Sequence, residues 1–244
     1  MEYNEFDRMV NEAEGRYTRQ YAPSVSFPVL MRKVYTWMAL AMIITGITAY
    51  GVATSPAILE AIFTNRMLFW GLIIAEFGLV FGISGMINKL GLATATLMFI
   101  AYSIINGALL STIFLLYTMQ SIGTVFFITA GTFGIMALIG YTTKTDLTSL
   151  GKMLFMALIG IIIATVVNIF VGSTGLQMVI SYIGVIIFVG LTAYDSQKIK
   201  HMLMTQNSAD EGAQKLALLG ALTLYLDFIN LFIYLLRIFG NRRD

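Results

Sequence analysis

The sequence predicts an all-α polytopic membrane protein with seven transmembrane helices. Three observations predict it. The 244 residues are 58% hydrophobic and only 11% charged, where a soluble domain carries about 25% charged residues. The charges crowd into the first 33 residues, the gaps between apolar runs and the last residues. The apolar runs have the length that crossing a bilayer requires, about 20 residues each. The same composition argues against other classes. A net charge of +2 supplies no basic face for nucleic acid. Zero cysteines remove disulfides, thiolate nucleophiles and cysteine metal sites. One histidine, His201, is too few for a His-rich zinc site.

Residues 1–33 are polar, with acids and arginines interspersed, and Pro23 and Pro28 close them. They read as an N-terminal cytoplasmic tail. Residues 34–239 read as the membrane domain, and 240–244 as a short basic C-terminal tail. The first run, 34–54, is uncharged, and the second, 67–87, holds one acid, Glu76. Residues 90–143 carry no charge and suffice for two crossings, with a turn around Tyr117, Thr118, Gln120, Ser121 and Gly123. The fifth run is 153–171, the sixth 176–194. The seventh, 216–236, contains Asp227 and Asn230. His201 falls in the gap before it and reads as solvated.

Orientation follows from the distribution of Lys and Arg. With seven crossings, Arg66, Arg237, Arg242 and Arg243 fall on one side and the other eleven of the 15 basic residues on the opposite one. That predicts a cytoplasmic N-terminus. Three of the four exceptions follow the seventh run, so a seventh segment that dips in and returns would also satisfy the charge rule. Gly78 and Gly82 form a GxxxG, which reads as a helix-packing face.

Ionisable residues inside apolar runs are the informative ones, because each costs at least about 2.5–3.5 kcal/mol at the bilayer centre. Three acids qualify, Glu76, Asp195 and Asp227, and no Lys or Arg lies deep in a run. Asp195 sits near the end of the sixth helix, with Lys198 one turn on. Asp227 is eleven residues into its run, with Asn230 one turn away. The sixth and seventh helices are consecutive and antiparallel, so their acids can meet. Two carboxyls in contact cannot both ionise cheaply and titrate as a unit. With one proton shared, the pair joins two helices; without it, like charges repel. Carboxylate oxygens are also what a hard cation such as Ca²⁺ takes, so Asp195 and Asp227 are the candidate calcium contacts. Glu76 reads as a pore-lining or hydrogen-bonding acid. Asn106 and Asn168 read as inter-helix hydrogen-bonding residues.

Four stretches resemble the Bax inhibitor family, the transmembrane BAX inhibitor motif proteins. They are residues 190–198 (GLTAYDSQK), 224–236 (LYLDFINLFIYLL), 129–147 (TAGTFGIMALIGYTTKTDL) and 155–170 (FMALIGIIIATVVNIF). The resemblance covers nearly everything after residue 30 and has a bacterial look. It implies a seventh helix surrounded by the other six, and a di-aspartyl sensor made of Asp195 and Asp227. It implies a pH-sensitive calcium leak across the inner membrane, with calcium as transported ion and no cofactor. It also implies, beside the lipid bilayer, calcium and protons, a membrane-bound quality-control protease as partner. Some bacterial relatives pair the diacid with an arginine near the end of the second helix. Here that stretch is Gly82-Ile83-Ser84-Gly85-Met86-Ile87-Asn88-Lys89, so only Lys89 is available to substitute.

Other readings fit the same residues. One is a non-transporting regulator whose tail and loops bind a membrane protease or other membrane partner. A proton-coupled transporter would use a buried diacid equally well. An intramembrane aspartyl protease fits Tyr194-Asp195 but fails at Asp227, which Tyr225-Leu226 precedes instead of Gly-x-Gly. No catalytic residues are expected.

Overall fold

The computed structural model describes residues 26–243. In chain order the helices are α1 (Phe27–Ala53), α2 (Pro56–Thr64), α3 (Arg66–Met86), α4 (Leu92–Leu110), α5 (Thr112–Leu116), α6 (Met119–Thr142), α7 (Thr148–Val171), α8 (Thr174–Met204) and α9 (Glu211–Phe239). Seven spans are long and apolar enough to cross a membrane, α4 and α5 together forming the third.

The helix starts follow local chemistry. Pro28 and Pro56 stand in the first turns of α1 and α2, where a missing N–H costs nothing. α1 therefore begins at Phe27, inside the polar segment assigned to the tail. The rest of that tail, residues 1–25, lies outside the described residues, as does Asp244. Side-chain oxygens cap four other helices: Asn65 for α3, Thr118 for α6, Ser173 for α8 and Asp210 for α9. Each satisfies N–H groups that the first turn leaves unpaired.

α8 runs ten residues beyond the apolar stretch that ended at Tyr194, so His201 is in its last turn and exposed, not in a loop. α9 is 29 residues long, about 43 Å at the helical rise. Its start grips the α3–α4 turn: Glu211 Oε1 accepts from the Leu92 N–H at 2.9 Å, and Lys215 Nζ donates to the Leu90 carbonyl at 3.0 Å. Its end lies against the α5–α6 turn, where Tyr117 and Arg242 form an antiparallel bridge. The seventh span therefore crosses from one end of the bundle to the other and does not turn back.

α9 is the most buried span, with 61% of its most apolar window enclosed against 44% for α8 and 6% for α3. Its principal neighbours are α8, α1, α6 and α4; α3 packs on α4, and α7 on α8. Close approach is set by glycine. A Cβ at Gly140 of α6 would overlap the Ala193 backbone of α8, and one at Gly107 of α4 would lie 2.6 Å from the Thr45 carbonyl of α1. The expected GxxxG face is different. A Cβ at Gly78 meets nothing within 4 Å, and one at Gly82 meets only the end of Met98. Gly78 is exposed and Gly82 half-buried against the Met98 side chain of α4, so among the described residues the motif brings no second backbone close.

Candidate functional site: two acids in a cleft beside the seventh span

Asp195 of α8 and Asp227 of α9 face each other, near enough for a side-chain hydrogen bond and for direct charge interaction. They are 8% and 4% exposed. Asp227 Oδ2 is enclosed and meets no donor among the described residues. The cation acting on both is Lys198, one turn beyond Asp195, its Nζ 5.7 Å from the Tyr194 ring centroid. Lys89 lies in the turn after α3 and Met86 is 49% exposed. The cation beside the diacid thus comes from α8 itself, not from the end of the second span.

The pair opens into a cleft of about 950 Å³ between α7, α8 and α9, which Thr223, Asn230, Lys152 and Lys198 also line. The cleft is apolar elsewhere, with Phe155 and Met156 of α7 and Phe77 of α3 at its lipid side. Asn230 donates to the Leu226 carbonyl at 2.8 Å on its own helix, which leaves its side-chain oxygen available in the cleft. Two carboxyls and neighbouring amide and hydroxyl oxygens suit a passing hard cation, while a resident Ca²⁺ site takes six to eight oxygens. Among the described residues, no three or more His, Cys, Asp or Glu side chains form a metal-holding group.

The other predicted polar residues separate. Asn168 stays at the α7–α8 turn: its Oδ1 accepts from the Ser173 N–H at 3.1 Å. There Gly172 adopts a left-handed φ of 66°, as helix C-termini commonly do. It is a turn residue, not an inter-helix one. Asn106 does join helices. Its Nδ2 donates to Glu76 Oε1 of α3, and its Oδ1 accepts from the Tyr225 hydroxyl of α9 at 3.1 Å. Glu76 and Asn106 are therefore away from the diacid, on the other side of α9.

Two residues that sequence reasoning passed over shape the site. Gln197 is 4% exposed and donates to the Thr145 carbonyl while accepting from the Leu147 N–H, both at 2.8 Å. It thereby fixes the α6–α7 turn to the helix that carries Asp195. Tyr225 is fully buried, edge-on to Phe99 and Tyr102 at 5.9 and 5.7 Å. Gln197 had a signal, a neutral polar residue two positions past Asp195. A tyrosine within an apolar helix had none.

A helical bundle with seven spans and a buried diacid between the last two is a polytopic membrane protein of the class whose sequence signature those two helices carry. The family model described as "Inhibitor of apoptosis-promoting Bax1" matches residues 28–244. The chain belongs to the Bax inhibitor family. Inner membrane protein YbhL of Escherichia coli (strain K12) is 51% identical over 222 residues, which is 91% of this chain and 95% of that protein. Uncharacterized proteins of Borreliella burgdorferi and Rickettsia prowazekii are 48% and 44% identical. The alignments cover 88% of this chain in each case, and 92% and 90% of the two relatives. This chain is an integral protein of the inner membrane.

Proposed function

We propose that the protein is a pH-sensitive cation leak, with calcium as transported ion, gated by the proton shared between Asp195 and Asp227. The observation that carries this reading is Asp227 Oδ2, enclosed and without a donor among the described residues, on a carboxyl that interacts with Asp195 and Lys198. A buried oxygen in that position is costly unless a proton lies between the two acids. With the proton in place, α8 and α9 are joined beside the cleft. Loss of that proton at higher pH puts two like charges in a low-dielectric site, and α8 and α9 separate. Freed carboxylate oxygens then face the cleft, where a hard cation can take them. Lys198 offsets one of the two negative charges in the open state. The N-terminus is cytoplasmic by the Lys and Arg distribution. The C-terminus, at the far end of a fully crossing α9, is outside.

Purified protein reconstituted in liposomes with an entrapped calcium indicator tests the reading. Calcium flux that depends on the protein is expected. Its absence at every pH would overturn the leak, and co-purification with a membrane protease through residues 1–33 would then favour a non-transporting regulator.

A further inference from the structure

On the face of α9 away from the diacid, a continuous polar chain crosses four helices. Asn106 Nδ2 of α4 donates to the carboxyl of Glu76 on α3. The Tyr225 hydroxyl of α9 lies 3.1 Å from Asn106 Oδ1 and 2.6 Å from Thr45 Oγ1 of α1. Thr45 Oγ1 is in turn 3.0 Å from the Ser103 carbonyl. Tyr225, Ser103 and Thr45 are 0%, 0% and 4% exposed, so the chain is closed to bulk solvent.

The hydrogens do not suffice for these contacts when Glu76 is ionised. Each hydroxyl carries one hydrogen. The Tyr225 and Thr45 hydroxyls thus supply two hydrogens for three contacts: to Asn106, between each other, and to Ser103. A 2.6 Å O···O separation holds a hydrogen. With Glu76 ionised, Asn106 must turn its NH₂ to the carboxylate and its oxygen to Tyr225. The order is then Thr45 to Tyr225 to Asn106 to Glu76, and the Ser103 contact has no hydrogen. Adding one proton to Glu76 makes the count complete. The acid donates to Asn106 Oδ1, the turned-over amide donates to Tyr225, Tyr225 donates to Thr45, and Thr45 donates to the Ser103 carbonyl. Each contact along this chain is filled and each of its donors points the other way; the Tyr102 hydroxyl, which also meets Glu76 and Asn106, lies beside the chain and is outside the count.

We infer that Glu76 is a second proton-binding site, whose protonation reverses the Glu76–Asn106–Tyr225–Thr45 hydrogen-bond chain and so reports to α9 from the face opposite Asp227. Residues two apart on a helix point about 200° apart, and Tyr225 and Asp227 meet different helices accordingly. The titratable groups facing Glu76 are Tyr102 of α4, in hydrogen-bond contact with it, and Tyr225 of α9. α2 packs on the start of α3 through Phe63 and Phe69, and its acid, Glu60, is exposed. The inference does not rest on the leak reading.

Infrared difference spectra of the reconstituted protein, acid minus base, test it without any transport assay. Wild type is expected to show a carboxylic-acid band that Glu76→Gln removes and Asp227→Asn does not. A tyrosine band that Tyr225→Phe removes should accompany it and vanish in Glu76→Gln. Thr45→Val, which does not touch Glu76, should shift the Glu76 band because the far end of the chain is gone. A Tyr225 band that persists in Glu76→Gln, or a Glu76 band unmoved by Thr45→Val, overturns the inference.

Discussion

Asp210 shows how a single exposed acid contributes to the bundle. Its carboxylate accepts from the Ala213 N–H at 2.9 Å and from the Ser208 hydroxyl at 2.9 Å. These bonds, the backbone one first, hold its carboxyl below the usual range. A lowered folded value stabilises the folded state above the unfolded value, about pH 3.9, and that contribution is lost as pH falls through the folded one. Protection of the Gly212–Gln214 amides, taken relative to their intrinsic exchange rates at each pH, should therefore fall in acid. At neutral pH, Asp210→Ala should lower the same protection and Asp210→Asn, which keeps an acceptor oxygen, should not. At the same scale, the scarcity of charge marked Glu76, Asp195 and Asp227 directly, because an acid in an apolar run stands out. Which acids meet was not legible for Glu76. Its partners depend on Asn106 and Tyr225 facing it from two other helices, and a tyrosine in an apolar helix reads as ordinary packing. Lys198 was legible as the neighbour of Asp195 by its spacing on one helix.

The seven spans followed from hydropathy, because the bilayer requires long apolar runs. The remainder of the helical structure did not. α2 has nine residues, too few to leave a periodic signal. The end of α8 carries Lys198, Lys200 and His201, which interrupt the apolar run without interrupting the helix. Those charges find partners at the helix end, as where Lys200 Nζ donates to the Tyr141 carbonyl at 2.7 Å. Glycine sets how α6 and α8 approach, and hence where Asp195 stands. Gly140→Val should force the two backbones apart, at a cost of about 1–3 kcal/mol for overpacking. Thermal unfolding in detergent should show the lowered midpoint. Gly78→Val, facing open space, should leave it unchanged.

α9 is the most buried span, and the diacid and the Glu76–Asn106–Tyr225–Thr45 chain meet it through different residues. Its far end is held by a clip. The Asn241 carbonyl accepts from the Thr118 N–H at 3.1 Å, the Asn241 N–H donates to Ser121 Oγ at 2.9 Å, and the Arg243 N–H donates to the Leu116 carbonyl at 3.0 Å. Removing residues 241–244 should raise amide exchange at Thr118 and Arg237-side turns of the bundle while leaving Asp195 and Asp227 in contact. The central claim is that the shared proton gates the leak. Calcium flux into liposomes, followed against pH for wild type, Asp195→Asn and Asp227→Asn, tests it most directly. Flux in wild type should rise with pH, on the order of tenfold per unit where one proton controls opening, and both variants should flatten that dependence. A wild-type pH profile in both variants would contradict the account.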